Sequence, residues 1–275
     1  MRTAPDRIAA RLSGIVALLL GGASAAGLAF PGLYRDNALV AASWYGNDLV
    51  SLFVATPLLV ATMIGARRGS LRARLGWMGM LLYSLYNGAF YLFGATFNAL
   101  FLVYVALFTG SAFALIFGLV ALDVEAVAER MRDSLPARGV AAFMGAVGLT
   151  LGGFHGAVSL RYGVAGTVPP MVEATGLHTN LIAALDLSMV VSVALLGGVW
   201  LWRRRPWGVV LGTLWSVKGA VYMLALSAAT VSTVLAGPSD TWEQLLLWGP
   251  IGVGCLGASV LLLRSLRPAS ARAES

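Results

Sequence analysis

Charge is what this sequence has least of. Only 11% of its 275 residues are Asp, Glu, Lys or Arg, where a water-soluble domain carries about a quarter. So few charges cannot cover a water-facing surface. Cysteine is reduced to Cys255, which excludes an internal disulfide framework and any multi-cysteine metal cluster. The two histidines, His155 and His178, are the minimum for bis-histidine haem ligation, and no C-x-x-C-H attachment motif accompanies them. No P-loop, G-x-S-x-G or H-E-x-x-H motif occurs. ATP hydrolysis, the usual hydrolase elbow and the zinc-protease helix are therefore set aside. Glu173 and His178 do not have the metalloprotease spacing. No cofactor and no metal are expected.

What fills the chain instead is apolar: 59% of residues are hydrophobic. They come in runs of roughly 18 or more, the length that crosses a bilayer. The expected fold is all-α, a polytopic transmembrane helix bundle forming a single domain over residues 1–275. Eight spans are predicted, at 8–30, 49–66, 76–93, 97–122, 140–160, 180–202, 207–235 and 245–263. The first resembles a signal peptide in its basic start and small residues Ala23-Ser24-Ala25, and is read as a retained span because the apolar run continues to Phe30. The longest pieces between spans are 31–48, 123–139 and 161–179, too short for a soluble domain. The stretch at 123–139 is helical in pattern up to Pro136 and either continues the fourth span or lies along the surface. Pro169-Pro170 argues against a regular helix in 161–179, and this segment can fold back over the bundle as a lid. No internal repeat is evident, although a four-plus-four division is arithmetically open.

The formal charge of +7 would point to nucleic acid in a soluble protein. Here the arginines sit in short blocks between apolar runs, so no nucleic acid is expected. Arg2, Arg7 and Arg11 precede the first span. Arg67, Arg68, Arg72 and Arg74 lie between the second and third, and Arg130, Arg132 and Arg138 follow the fourth. Arg203–Arg205 separate the sixth and seventh, while Arg264, Arg267 and Arg272 follow the eighth. Only Arg35 and Arg161 fall on the other side. The positive-inside rule then places both termini in the cytoplasm, in a bacterial cytoplasmic membrane. Trp44, Trp77, Trp200, Trp202, Trp207, Trp242 and Trp248 lie near predicted span ends, as an interfacial aromatic belt would; Trp215 lies deeper.

Ionisable groups inside a membrane mark a site or a structural pair. Lys218 is about twelve residues, or roughly 18 Å, into the seventh span. Asp186 is about six residues, or roughly 9 Å, into the sixth from the opposite end. Equal depth and opposite charge predict an Asp186–Lys218 pair. His155 falls at a similar depth. Tyr83, Asn87 and Tyr91 recur every four residues along one face of the third span. Asn98 opens the fourth span and can cap it; Asp48 stands at the mouth of the second, and Glu173 lies in the outer loop. Thr56-Pro57 interrupts the second span. Together these residues are expected to line one outer-half cavity.

The stretch 44–60, an RRGSLRAR loop and 86–108 resemble a group of uncharacterised bacterial integral membrane proteins, many from high-GC, actinobacterial-type genomes. The similarity covers about the first half of the chain. It is clearest at Gly46, Asn47, Asp48, Pro57, Tyr86, Asn87, Tyr91, Phe93, Gly94, Phe97 and Asn98. Where such proteins commonly read Y-N-Y, this chain has Tyr86-Asn87-Gly88. The resemblance implies a multi-spanning membrane protein and carries no activity. The residues favour transport or binding of a small polar or ionic ligand, with membrane lipid as the surrounding partner. The alternatives are a membrane-embedded lipid- or quinone-linked enzyme, or a structural subunit of a membrane complex. Oligomeric state is not legible.

Overall fold

A computed structural model describes residues 3–267; Arg2 and Arg272, used above in the charge pattern, lie outside the described residues. Eight long helical rods follow one another: α1 Ala4–Ala29, α2 Ala38–Arg67, α3 Leu71–Gly94, α4 Phe101–Val120, α5 Ala137–Ala165, α6 Leu181–Trp202, α7 Pro206–Leu235 and α8 Leu245–Arg264. Seven of them are long and apolar enough to cross a membrane, and this all-α bundle is that of a multi-pass membrane protein. The other is α3. It has 24 residues, about 36 Å of helix, but it is the most polar rod because it is surrounded by protein. Trp77, Met78, Met80, Leu81, Tyr83 and Tyr86 on it are all fully buried.

Short polar side chains start the rods. The Asn37 Oδ1 accepts from the Val40 N–H at 3.0 Å, Ser70 Oγ from Ala73 at 3.2 Å and Asn180 Oδ1 from Ala183 at 3.1 Å. Each satisfies a helix-end donor that has no partner within its own helix. Pro206 opens α7, where a missing N–H costs nothing.

The centre of the bundle is the pair α3 and α7. The most apolar window of α7 is 67% buried, against 22% to 44% in the other six apolar rods. Around this pair, α2 packs on both, α4 on α3, α1 on α4, α6 on α7 and α5, and α8 on α7. The α2–α7 crossing is close because residue 46 is glycine: a Cβ there would collide with the backbone of Ala228 and Ala229. The outer surface is apolar. Leu18, Phe53, Leu102, Leu149, Leu246 and Val253 are each more than 65% exposed, while Asn47, Asp48, Asn87, Asp186 and Lys218 are buried. Water would reject that arrangement and a lipid solvent favours it.

The two halves repeat one order of features. In α2 and α6 a π-helical turn, Ser51–Ala55 and Asp186–Val191, interrupts the rod at or just after a buried aspartate. Both rods end in an arginine pair, Arg67-Arg68 and Arg203-Arg204. Both chains then turn through a left-handed residue, Gly69 at φ 88° and Arg204 at φ 52°, into a central helix. Those central helices meet through Tyr86 and Tyr222, whose ring centroids are 4.8 Å apart. The likeness is one of feature order rather than of a shared motif, so the sequence does not display it.

One end of the bundle gathers the arginines. The Arg74 Nη2 donates to the Asp6 carboxylate and to the Ala121 carbonyl, both at 2.6 Å. Arg72 caps the end of α8 through the Leu266 carbonyl, and Arg204 reaches the carbonyls of Asp133 and Leu135. Residues 265–267 pair with 130–132 through Arg132 N–H to Ser265 O at 2.9 Å and Arg267 N–H to Arg130 O at 2.8 Å.

Several sequence expectations change. The second rod begins at Ala38, not 49, because Trp44, Asn47 and Asp48 are interior helix residues that resemble a polar loop. The charged stretch after α4 does not prolong it; it forms a separate helix, Val124–Arg130, capped by Asp123. Pro169-Pro170 does not exclude a helix: Pro170 takes the first position of Pro170–Thr175, where proline is tolerated. Trp44 and Trp77 are not belt residues. Both are buried, Trp44 stacked on Tyr91 and Trp77 donating to Ser13 Oγ at 3.0 Å.

Candidate functional site

A cavity of about 220 Å³ opens between α2, α3, α7 and the start of α8, with the short helix Pro170–Thr175 and the start of α6 over it. Its walls are mostly apolar: Val40, Trp44, Phe90, Met171, Ala225 and Leu226. The amides of Asn47 and Asn87 form its floor, and Tyr222, Thr230, Gln244 and Trp248 add polar edges. No lining residue is Asp, Glu, Lys, Arg or His. The short helix over the cavity supplies Met171 and Thr175 and is tied down by the Asn37 Nδ2, which donates to the Ala174 carbonyl at 2.9 Å. The segment expected as a lid thus lies across the cavity.

The floor is built by a hydrogen-bond chain. Asn47 Nδ2 donates to Asn87 Oδ1 at 2.9 Å and to the Tyr91 hydroxyl at 2.8 Å. Asn87 Nδ2 donates to Ser51 Oγ at 3.2 Å, and Ser51 in turn meets the Tyr83 hydroxyl at 3.0 Å. Both Nδ2 hydrogens of Asn47 are used, whereas its Oδ1 accepts no hydrogen bond from a described residue. The Trp248 indole Nε1 is likewise a buried donor with no partner among the described residues. The cavity therefore offers an acceptor on its floor and a donor on its wall.

Behind the floor lies Asp48. Tyr91 donates to its Oδ1 at 2.7 Å and Tyr34 to its Oδ2 at 2.5 Å. Burial, reinforced by the carboxylate beside it, pushes the Tyr34 phenol well above its usual range, so it stays a donor.

The second network lies on the other side of α3. The Tyr86 hydroxyl donates to Asp186 Oδ1 at 2.6 Å, and His155 Nε2 lies 3.1 Å from Asp186 Oδ2. Lys218 Nζ sits over the Tyr86 ring at 3.5 Å and the Tyr222 ring at 4.2 Å. The expected Asp186–Lys218 ion pair is not made as a contact: Tyr86 stands between, with its hydroxyl on the carboxylate and its face to the ammonium. A buried ammonium on two ring faces is compensated by their quadrupoles.

The expected single cavity wall therefore divides. Of the residues singled out in the sequence, Asn87 lines the cavity. Tyr83, Tyr91 and Asp48 form the network behind it, and Asp186, His155 and Lys218 form the second cluster. Asn98 joins neither. It lies in the α3–α4 loop, where its Oδ1 accepts from the Leu100 N–H at 2.9 Å. Glu173 is exposed and does not line the cavity. Tyr34, Ser51 and Tyr222 carry no expectation from the sequence, and Trp248, expected only as an interfacial anchor, lines the cavity. Tyr222 was findable, since it lies one helical turn from Lys218 on the same face; Tyr34 gave no periodic signal because it comes from a loop. Neither a family model nor a curated protein nor a solved structure matches this chain.

Proposed function

We propose that this protein takes a small, uncharged amphipathic molecule into the α2–α3–α7–α8 cavity, as the binding step of a membrane carrier. The observation that carries the reading is the cavity itself, with apolar walls, an amide floor and no acidic or basic side chain in its lining. Such a site favours a ligand with an apolar body and one group able to donate and accept hydrogen bonds. The ionic ligand entertained from the sequence fits less well, because nothing in the lining would balance its charge. A lipid- or quinone-linked enzyme is the second reading: a quinone has the right chemistry for the cavity, but no His, Asp, Glu or Lys lines it as a general acid or base, and only the Tyr222 phenol is there.

We further infer eight spans, α3 included, with both termini cytoplasmic in a bacterial cytoplasmic membrane. The gathering of Arg72, Arg74, Arg130, Arg132 and Arg204 at one end supports this reading.

Native mass spectrometry of the chain purified from membranes tests the binding. A retained small-molecule adduct is expected in the wild type and not in Ala229→Trp, whose indole would fill the cavity. A wild type without adduct, or an adduct retained in both, contradicts the proposal.

A further inference from the structure

Two of the buried aspartates, Asp48 and Asp186, are compensated differently, and the difference points to a proton. Asp186 has His155 on one oxygen and Lys218 one ring away. Asp48 is 1% exposed, yet among the described residues no Lys, Arg or His lies within 4.0 Å of it. Its two oxygens are held by neutral hydroxyls, the phenols of Tyr34 and Tyr91, with the buried Ser24 of α1 beside them. The titratable groups that face it are Tyr34 from the α1–α2 loop and Tyr91 from α3. Tyr83 lies farther along α3, and Tyr104 of α4 stacks on Tyr91 at 5.1 Å. From α1 come the non-titrating hydroxyl of Ser24 and space: a Cβ at Gly27 would collide with the Asp48 Oδ2 and the Tyr34 hydroxyl.

We propose that Asp48 is a proton-binding site coupled to the cavity, an inference that rests on the binding role assigned to that cavity. A carboxylate without a cation in a low-dielectric interior is costly as an anion and is relieved by one proton. Bulk water on the Tyr34 side supplies that proton, and the product is the neutral carboxylic acid; no other bond changes. One carboxyl oxygen then becomes a donor, and the phenol it faces must redirect its own O–H. Two hydrogen bonds, Asp48–Tyr91 and Tyr91–Asn47, separate this event from the cavity floor. Protonation and occupancy of the floor therefore influence each other, as linkage requires.

Infrared difference spectroscopy of the full chain in lipid nanodiscs, titrated with pH alone, tests the site. A protonated-carboxyl C=O band is expected to titrate in the wild type, to vanish in Asp48→Asn and to persist in Asp186→Asn. Tyr91→Phe keeps the carboxyl but removes a donor to its anion, so proton affinity should rise roughly tenfold. This variant serves where Asp48→Asn fails to fold. Absence of the band over the pH range of the folded protein overturns the proposal. So does a band unchanged in Asp48→Asn, one lost in Asp186→Asn, or a Tyr91→Phe midpoint equal to that of the wild type. None of these readouts involves ligand, so failure here leaves the adduct experiment to judge the cavity separately.

Discussion

Asn47 and Asn87 are joined amide to amide across α2 and α3, Nδ2 to Oδ1 at 2.9 Å, on the floor of the cavity. Each is held from behind, Asn47 by Tyr91 and Asn87 by Ser51. The pair is therefore both a helix-to-helix tie and the oriented polar surface that a ligand would meet.

Replacing Asn87 by Leu leaves the Asn47 N–H and the Ser51 hydroxyl short of a partner in a buried setting. A loss of about 1–3 kcal/mol in stability is expected, read as a lower thermal midpoint in detergent. Asn87→Leu as stable as the wild type would reduce the amide pair to passive filler.

Tyr86 does two jobs that substitution can separate. Tyr86→Phe removes the hydroxyl from Asp186 but keeps the ring under Lys218; Tyr86→Leu removes both. The second variant should be less stable than the first by about 1–2 kcal/mol, the worth of a desolvated cation–π contact together with ring packing. Equal losses would place the whole effect in the hydroxyl.

Gly46→Leu should open the α2–α7 crossing, because even a Cβ meets the Ala228–Ala229 backbone. Overpacking of this kind costs about 1–3 kcal/mol and would also distort the adjacent floor residue Asn47. Thermal unfolding measures the first effect, and loss of the retained adduct measures the second.

Orientation is tested with single cysteines in a Cys255→Ala background, since the native thiol is buried. A membrane-impermeant maleimide added to intact cells should label Asp240→Cys and spare Ser70→Cys until the membrane is broken. The reverse pattern would invert the topology.

Much of this fold is legible in sequence because a bilayer demands long apolar runs, and α6, α7 and α8 start and stop within a residue or two of expectation. The errors have a shared cause. The polar face of an interior helix and a solvated loop carry the same residues, so Trp44, Asn47 and Asp48 hide the first turns of α2. Depth along a helix follows from counting residues; rotation about its axis does not. Residue counting therefore puts Asp48 and Asp186 in one cavity wall, whereas α3 separates them, sending Tyr91 to one and Tyr86 to the other. Asn87 and the face it shares with Tyr83 and Tyr91 were legible, because four-residue spacing fixes a helical face.

The most direct test of the central claim is a single-particle structure of the protein extracted in its native lipid. Non-protein density is expected between the Asn47–Asn87 floor and Trp248, under the helix Pro170–Thr175. A cavity closed by its own side chains, with Trp248 or Met171 packed onto the two amides, would contradict it.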